Sequence, residues 1–542
     1  MANQCCALAA IALALSMGVA MRAVAAPTSE AYKIEQIVAP SAFHGVHGLA
    51  FDKQGRLFAG SVSGQAIYSV DTATGKAAVV VGPPDGMADD MVFLADGTLV
   101  WTSISQNMVR ARKGDGPVRV LANDLRSVNS IAVRKDGRLF VAQVFGGDGL
   151  WELDPAGEKP PRNILKDIGG LNGFDIGTDG MIYGPLWFKR QVVKIDPDSG
   201  ALAVVADGFG TPAAANFDSK GNLYVLDTAR GELLLVNVAN GEKKVVARLA
   251  TSLDNLAIDS QDRVFVSNMA DNGVQEFDPR TGRVRQVVKG ALANPRMLAV
   301  AAGASSDQVF VADIFAYRVV DGRSGKVTDL SRAFAAGRDT LAFVLTVGAG
   351  SKHGIALDTE GTLQVTEADS NRVIKRVSGL PGISAVLELP DGSYLLAEVS
   401  SGRITRLTGN DAAARQQVAT GLEAPQALAL AGPNAIYVLE AGAGQITRVE
   451  LDTGSRQMIA KNLVRPNGLA VDSSGNLYSI ELGQQRLVRI DSKTGAVKPV
   501  ATGLPVGAPG LGNFSAGLAA GARGVLYVSS DIENSLYRLT PR

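Results

Sequence analysis

Five polar side chains, His47, Asp89, Asn129, Asn172 and Asp254, occupy the same place in copies of one recurring phrase. The phrase reads His-Gly-Leu-Ala-Phe-Asp at 47–52 and Asn-Gly-Leu-Ala-Val-Asp at 467–472, and the residue before the Gly-Leu-Ala step is what changes. Carboxylate and amide oxygens gathered at one point suit a hard cation such as Ca2+, which takes about six to eight oxygens. Asp89 and Asp254 would neutralise a divalent charge, with Asn carbonyls and water filling the remaining positions. His47 beside such an ion is a candidate general base, because an imidazole titrates near working pH. A bound cation polarises a carbonyl and holds a developing oxyanion. Base and Lewis acid together are what ester or lactone opening needs. The plainer role of such residues is to cap strand ends and bind water.

These side chains are far apart in the chain, so a repeat must bring them together. About twelve copies follow one another at a period of roughly 42 residues, the length of a β-propeller blade. The variable position falls at His47, Asp89, Asn129, Asn172, Ala213 and Asp254, then at Arg296, His353, Ser384, Gln426, Asn467 and Ala516. Leu223 and Val225, then Leu233 and Leu235, keep the period-two spacing of strands between Gly, Asn and Asp turns. One ring of twelve exceeds the usual range of about four to eight blades. The expectation is therefore an all-β chain of two six-bladed β-propellers in tandem, residues 26–282 and 283–542, with seven plus five as the alternative. Tyr32–Ala39 and Arg283–Lys289 are each expected to supply the outer strand that closes its own ring. The irregular spacing around His353 suggests that Thr340–Val347 replaces a missing outer strand.

The formal net charge is +0 and the pI about 6.9, which gives no basic face for nucleic acid or an anionic membrane. The 61 glycines suit a protein of many tight turns. The apolar run from Ala7 to Ala20, followed by Ala23-Val24-Ala25, reads as a cleavable signal peptide over 1–25. It is shorter than the roughly 20 apolar residues of a spanning helix, and no later segment reaches that length. A periplasmic or secreted protein is expected, with both cysteines, Cys5 and Cys6, inside the leader.

The copies resemble the NHL and SMP-30 (senescence-marker)/gluconolactonase group of propellers over nearly the whole mature chain. Arg465-Pro-Asn-Gly-Leu-Ala-Val-Asp-Ser-Ser-Gly-Asn-Leu-Tyr carries that likeness most closely. Ser127-Val-Asn-Ser-Ile-Ala-Val and Leu253-Asp-Asn-Leu-Ala-Ile-Asp resemble metal motifs of paraoxonases, and Leu171-Asn-Gly one shared with gluconolactonases. The resemblance implies Asn129, Asn172 and Asp254 as ligands, with Asn255 a further one. It departs where those families use an early Glu and this chain has Asp89, and where Ala213 interrupts the series. Lys352-His-Gly-Ile-Ala resembles the catalytic-histidine motif of streptogramin lyases, which makes His353 a second catalytic candidate.

Trp187-Phe188-Lys189-Arg190 is expected over the tunnel mouth, as an apolar wall with a cationic tip for a substrate carboxylate. Trp187, Arg190, Asp227 and Asn268 are the candidate substrate contacts, whereas Trp101 and Trp151 are expected in the core. The acids Asp313, Glu367, Glu398, Glu440 and Glu481 match ordinary blades of the resembled families, where such an acid braces the following turn. No phosphate-binding Gly loop, His-Glu-x-x-His or Gly-x-Ser-x-Gly motif is present. The leading expectation is an exported Ca2+-type hydrolase of a lactone or ester. The alternatives are a non-catalytic ligand- or protein-binding double propeller and a metal-assisted lyase centred on His353.

Overall fold

Where a phrase ends in Asp, that residue builds the first hairpin of its sheet. Asp52 Oδ1 accepts from the backbone N–H of Gln54 and of Arg56, each at 2.9 Å. Asp472 makes the same two bonds to Ser474 and Asn476. Gly55 and Gly475 follow at φ 75° and 81°, a conformation that costs glycine nothing. The phrase is therefore a strand, a braced turn and the start of a second strand.

The structure is a computed structural model that describes residues 26–303, 305–508 and 516–542; the expected leader lies outside them. It is an all-β, propeller-type architecture. Among the described residues there are twelve four-stranded sheets, whose strand pairs are all antiparallel, and the only helices are single 3-10 turns. The innermost strands of the first six are Leu49–Phe51, Met91–Phe93, Val128–Val133, Asp175–Ile176, Pro212–Phe217 and Leu253–Ile258. Each packs against the next, and the sixth packs against the first. Leu298–Ala301, Val344–Ala349, Ile383–Glu388, Pro425–Leu430, Pro466–Val471 and Leu518–Ala520 repeat that circuit. The core lies between adjacent sheets; Leu139 and Val141 meet Val100 and Val109 in this way.

Two glycines show how close the innermost strands come. A Cβ on Gly48 would sit 2.5 Å from Asp89 O, and one on Gly517 would sit 2.3 Å from Arg296 O. The Gly of the phrase is thus required by the neighbouring backbone. In other copies a bulge sets the variable position. Asn129, Ala213 and Leu345 each fall inside a register shift between the first and second strands of their sheets. A bulge re-aims its side chain out of the pleat.

The closing strands differ from expectation. Tyr32–Val38 pairs with Ser535–Pro541 and completes the last sheet of the chain. Its reason is edge cover, since the three C-terminal strands would otherwise leave an open outer edge. Arg283–Val288 pairs with Gly273–Asp278 and completes the sixth sheet, so the change of circuit falls after Val288. The strand expected at Thr340–Val347 is Val344–Ala349, and it is an innermost strand. His353–Asp358 is the second strand of that sheet, so Leu345 holds the place assigned to His353. An alternating apolar run satisfies either strand of a hairpin, which is why the phrase misled there.

The two circuits are joined by polar contacts. Arg332 reaches Asp271 at 3.0 Å, Asn268 Oδ1 at 2.9 Å and Thr251 O at 2.9 Å. Ser252 Oγ donates to Ala333 O at 2.6 Å. The fully buried Arg318 holds Asp313 at 2.6 Å and also donates to Ala270 O. No helix among the described residues is long and apolar enough to cross a membrane.

Candidate functional site

One cavity of about 960 Å³ collects the first-circuit positions. His47, Asp89, Asn129, Asn172 and Asp254 all line it. Each stands at the start of an innermost strand or up to three residues before it, and Asn129 and Asp254 fall within a register shift there. His47 Nδ1 lies 3.0 Å from Asp254 Oδ2 and 3.6 Å from Asp89 Oδ1. His47 Nε2 is buried and has no hydrogen-bond partner among the described residues. Ser130 Oγ links the amides, at 2.8 Å from Asn129 Oδ1 and 3.0 Å from Asn172 Oδ1.

Charge in this small space is strongly perturbed. Burial pushes the Asp89 carboxyl up to about 8, against the attraction of His47, and the nearby Asp254 and Asp90 carboxylates add to the rise. Burial alone would lower His47, but Asp254 and then Asp89 outweigh it, and its pKa is raised above 6.5. An Asp254 carboxylate that accepts from Nδ1–H leaves the lone pair of the neutral ring on Nε2.

These residues fit a hard divalent cation by their chemistry. The buried Asp89 and half-buried Asp254 share one imidazole, and the Asn129 and Asn172 side chains line the same cavity, with their amide oxygens accepting from Ser130 Oγ. Among the described residues no group of three or more His, Cys, Asp or Glu side chains is arranged to hold a metal. Any ion here therefore depends on the Asn oxygens.

The aromatic wall is larger than the sequence suggested. Trp187 and Phe188 line the cavity as expected. From Phe188 an edge-to-face series runs through Phe145, Trp187, Phe334, Phe343 and Phe315 to His47, with centroid separations of 5.1–5.9 Å. Phe315, Phe334 and Phe343 come from the second circuit and roof the first. Phe145, Phe334 and Ile314 line the cavity at φ 71°, 62° and 32°. Left-handed backbone costs such residues about 1–3 kcal/mol each and gathers at functional sites.

Other sequence candidates lie outside the lining. Asn255 turns its amide to Asp90 Oδ1 at 2.9 Å, and Asp90 also accepts from Ile131 N, so this pair ties neighbouring strands together. Asp227 accepts from Gly210 N and Thr211 N and braces a turn. Asn268 binds Thr251 O and Arg332. Arg190 is exposed beyond Phe188, at φ 56°. His353 Nδ1 meets Glu388 Oε1 at 2.9 Å, on the innermost strand of the next sheet in the second circuit. Trp101 is fully buried, and its Nε1 donates to Asp85 O. The second-circuit acids brace turns, as Glu481 does by accepting from Val464 N and Arg486. Sequence reasoning missed Arg296 as part of this cavity. Its signal was the variable position itself, set aside because Arg is no metal ligand.

Comparison with known proteins gives low-identity likenesses. The chain is similar to a streptogramin B lyase structure at 13% identity, with 52% of this chain and 95% of that one covered and a TM-score of 0.39. A gluconolactonase from Xanthomonas campestris matches at 14%, covering 47% and 90%, with a TM-score of 0.38. A nidogen/laminin complex matches at 16%, covering 46% and 92%, with a TM-score of 0.37. No curated protein matches the chain. Residues 174–314, which run from the fourth sheet to the Ile314 wall of the cavity and include Asp254, match the family described as the SMP-30/Gluconolactonase/LRE-like region.

Proposed function

We propose that this chain is an exported, Ca2+-dependent hydrolase that opens a lactone or ester in the His47 cavity, working in the periplasm or outside the cell. On this reading the twelve sheets are two six-bladed propellers, the first carrying the chemistry and the second roofing it. The observation that carries the proposal is the His47–Asp254 contact at 3.0 Å, with Nε2 buried and unpartnered at a cavity wall. The family match over residues 174–314 supports a lactonase-like propeller.

Asp89, Asn129, Asn172 and Asp254 would hold the ion. When bound, it supplies polarisation of the substrate carbonyl and charge for the developing oxyanion. Asp254 holds the His47 ring and its tautomer. His47 Nε2 takes a proton from water as the water oxygen bonds to the acyl carbon. The acyl C–O bond then breaks, and the same proton goes to the leaving alkoxide. The aromatic roof excludes bulk water from the reacting groups.

Metal analysis of protein purified without chelator, joined to a panel of lactones and aryl esters with and without Ca2+, tests the proposal. Roughly one tightly held divalent ion is expected, lost in Asp254→Ala and Asn172→Ala together with the activity. A metal-free protein whose Tm ignores chelator, and which leaves the panel intact, would mark a binding module instead. Activity lost in His353→Ala and kept in His47→Ala would mark a lyase.

A further inference from the structure

Arg296 is the one Arg or Lys among the described residues that line the cavity, and it comes from the second circuit. Its residue is 7% exposed, and its Nε has no hydrogen-bond partner among the described residues. No carboxylate among the described residues stands within ion-pairing distance of its guanidinium. Asp531 and Asp313 attract its charge but are engaged elsewhere: Asp313 by Ala293 N, Asn294 N and Arg318, and Asp531 by Gly507 N and Ala508 N. The Arg296 backbone is fixed by Ala312 O at 2.8 Å and by Ser529 Oγ at 2.7 Å. A buried guanidinium left unpaired is costly, and the natural remedy is an anion with planar, two-oxygen geometry.

We propose that Arg296 is a substrate-positioning residue that binds a carboxylate on the substrate, so that this cavity takes an ester or lactone bearing both an apolar body and a separate carboxylate. This rests on the hydrolase reading of the same cavity and adds the substrate class to it. The apolar body lies along Phe315, Phe334, Phe343 and Trp187. The scissile carbonyl then faces His47, while the carboxylate is drawn to the opposite circuit. The two circuits thus divide the work, the first for chemistry and the second for recognition. The cationic tip expected at Arg190 is supplied by Arg296.

Binding separates this inference from the hydrolase reading. Phenylacetate, 4-phenylbutyrate and decanoate, each paired with its neutral amide, are titrated by calorimetry against the full chain, with and without chelator. The acids are expected to bind at least about tenfold more tightly than the amides, chelated or not. Arg296→Gln removes that preference and leaves amide binding unchanged, and Arg296→Lys restores part of it. Phe334→Ala weakens acid and amide alike. Equal binding of acid and amide, a preference that survives Arg296→Gln in folded protein, or one lost on chelation alone overturns the proposal. Absence of any binding overturns it too. Acid-selective binding without hydrolysis of the panel would sink the hydrolase reading and leave Arg296 its anion. Hydrolysis indifferent to a substrate carboxylate would do the reverse.

Discussion

His47 and Phe315 meet edge to face, with ring centroids 5.5 Å apart and 68° between their planes, although one belongs to the first circuit and the other to the second. The imidazole is thus held by a hydrogen bond on one side and a ring on another. Phe315→Leu keeps apolar volume but loses the flat edge. We expect kcat on any accepted ester or lactone to fall about tenfold to a hundredfold, with bound metal unchanged, because small misplacement of a reacting group is expensive. Steady-state kinetics beside metal analysis checks this; unchanged kcat would show that Phe315 has no hold on the base.

Removal of the metal should make stability depend on pH in a particular direction. In the ion-free cavity the Asp89 carboxyl is raised from 3.8 to about 8, and His47 is raised as well. Both groups then bind protons more tightly folded than unfolded. Their contribution is present at low pH and is lost as pH rises through the folded values. The chelated protein should therefore lose Tm between pH 5 and about 8, on a scale of roughly 2–4 °C per kcal/mol. Ca2+ should flatten the curve, and so should Asp89→Asn without metal. Thermal scans at a series of pH values decide the matter, and a chelated protein whose Tm climbs over that range contradicts it.

The repeat could be read from sequence because each copy carries its own local signals. Asp52 and Gly55 announce a turn, and Leu223 and Val225 announce a strand, without reference to anything distant. The convergence of His47, Asp89, Asn129, Asn172 and Asp254 followed from the repeat's symmetry. What symmetry could not supply was the stacking of one circuit on the other. Phe315, Phe334 and Phe343 sit on connections outside the phrase, so nothing periodic marks them as a roof. Arg296 was visible as a variable residue, but the polar side chains that share its cavity come mainly from the other circuit. Asn255 failed for a finer reason: one step along a bulged strand turns a side chain from the cavity to Asp90.

The junction between circuits should be strong enough to join their unfolding. Arg318 is buried and bonds Asp313, Asp329 and Ala270 O. Arg332 binds Asp271, Asn268 and Thr251 O across the same junction. Removing one member of such a buried set costs about 3–5 kcal/mol. The intact protein should show one calorimetric transition, and Arg332→Ala should split it into two. One unsplit transition at unchanged Tm would place the coupling elsewhere, in the aromatic contacts.

The strand Tyr32–Val38 ties the start of the described chain to its end, and it should act as a latch on the second circuit alone. It covers the outer edge of Ser535–Pro541 along nearly its whole length. Tyr32 is 7% exposed, and its hydroxyl donates to that of Tyr478 at 3.0 Å. Tyr32→Phe removes one buried hydrogen bond, a loss of about 1 kcal/mol. A Pro at Lys33 or Glu35, the positions whose N–H faces Thr540 and Arg538, cannot donate to the ladder and should open the edge, at about 3 kcal/mol or more. Hydrogen exchange should then rise first in 518–541 and in the neighbouring sheet at Leu477–Thr502. The backbone amides around His47, Asp89 and Asn129 should keep their protection. Loss of protection beginning in the first circuit would mean that the latch serves the whole molecule, and that the two circuits close as one.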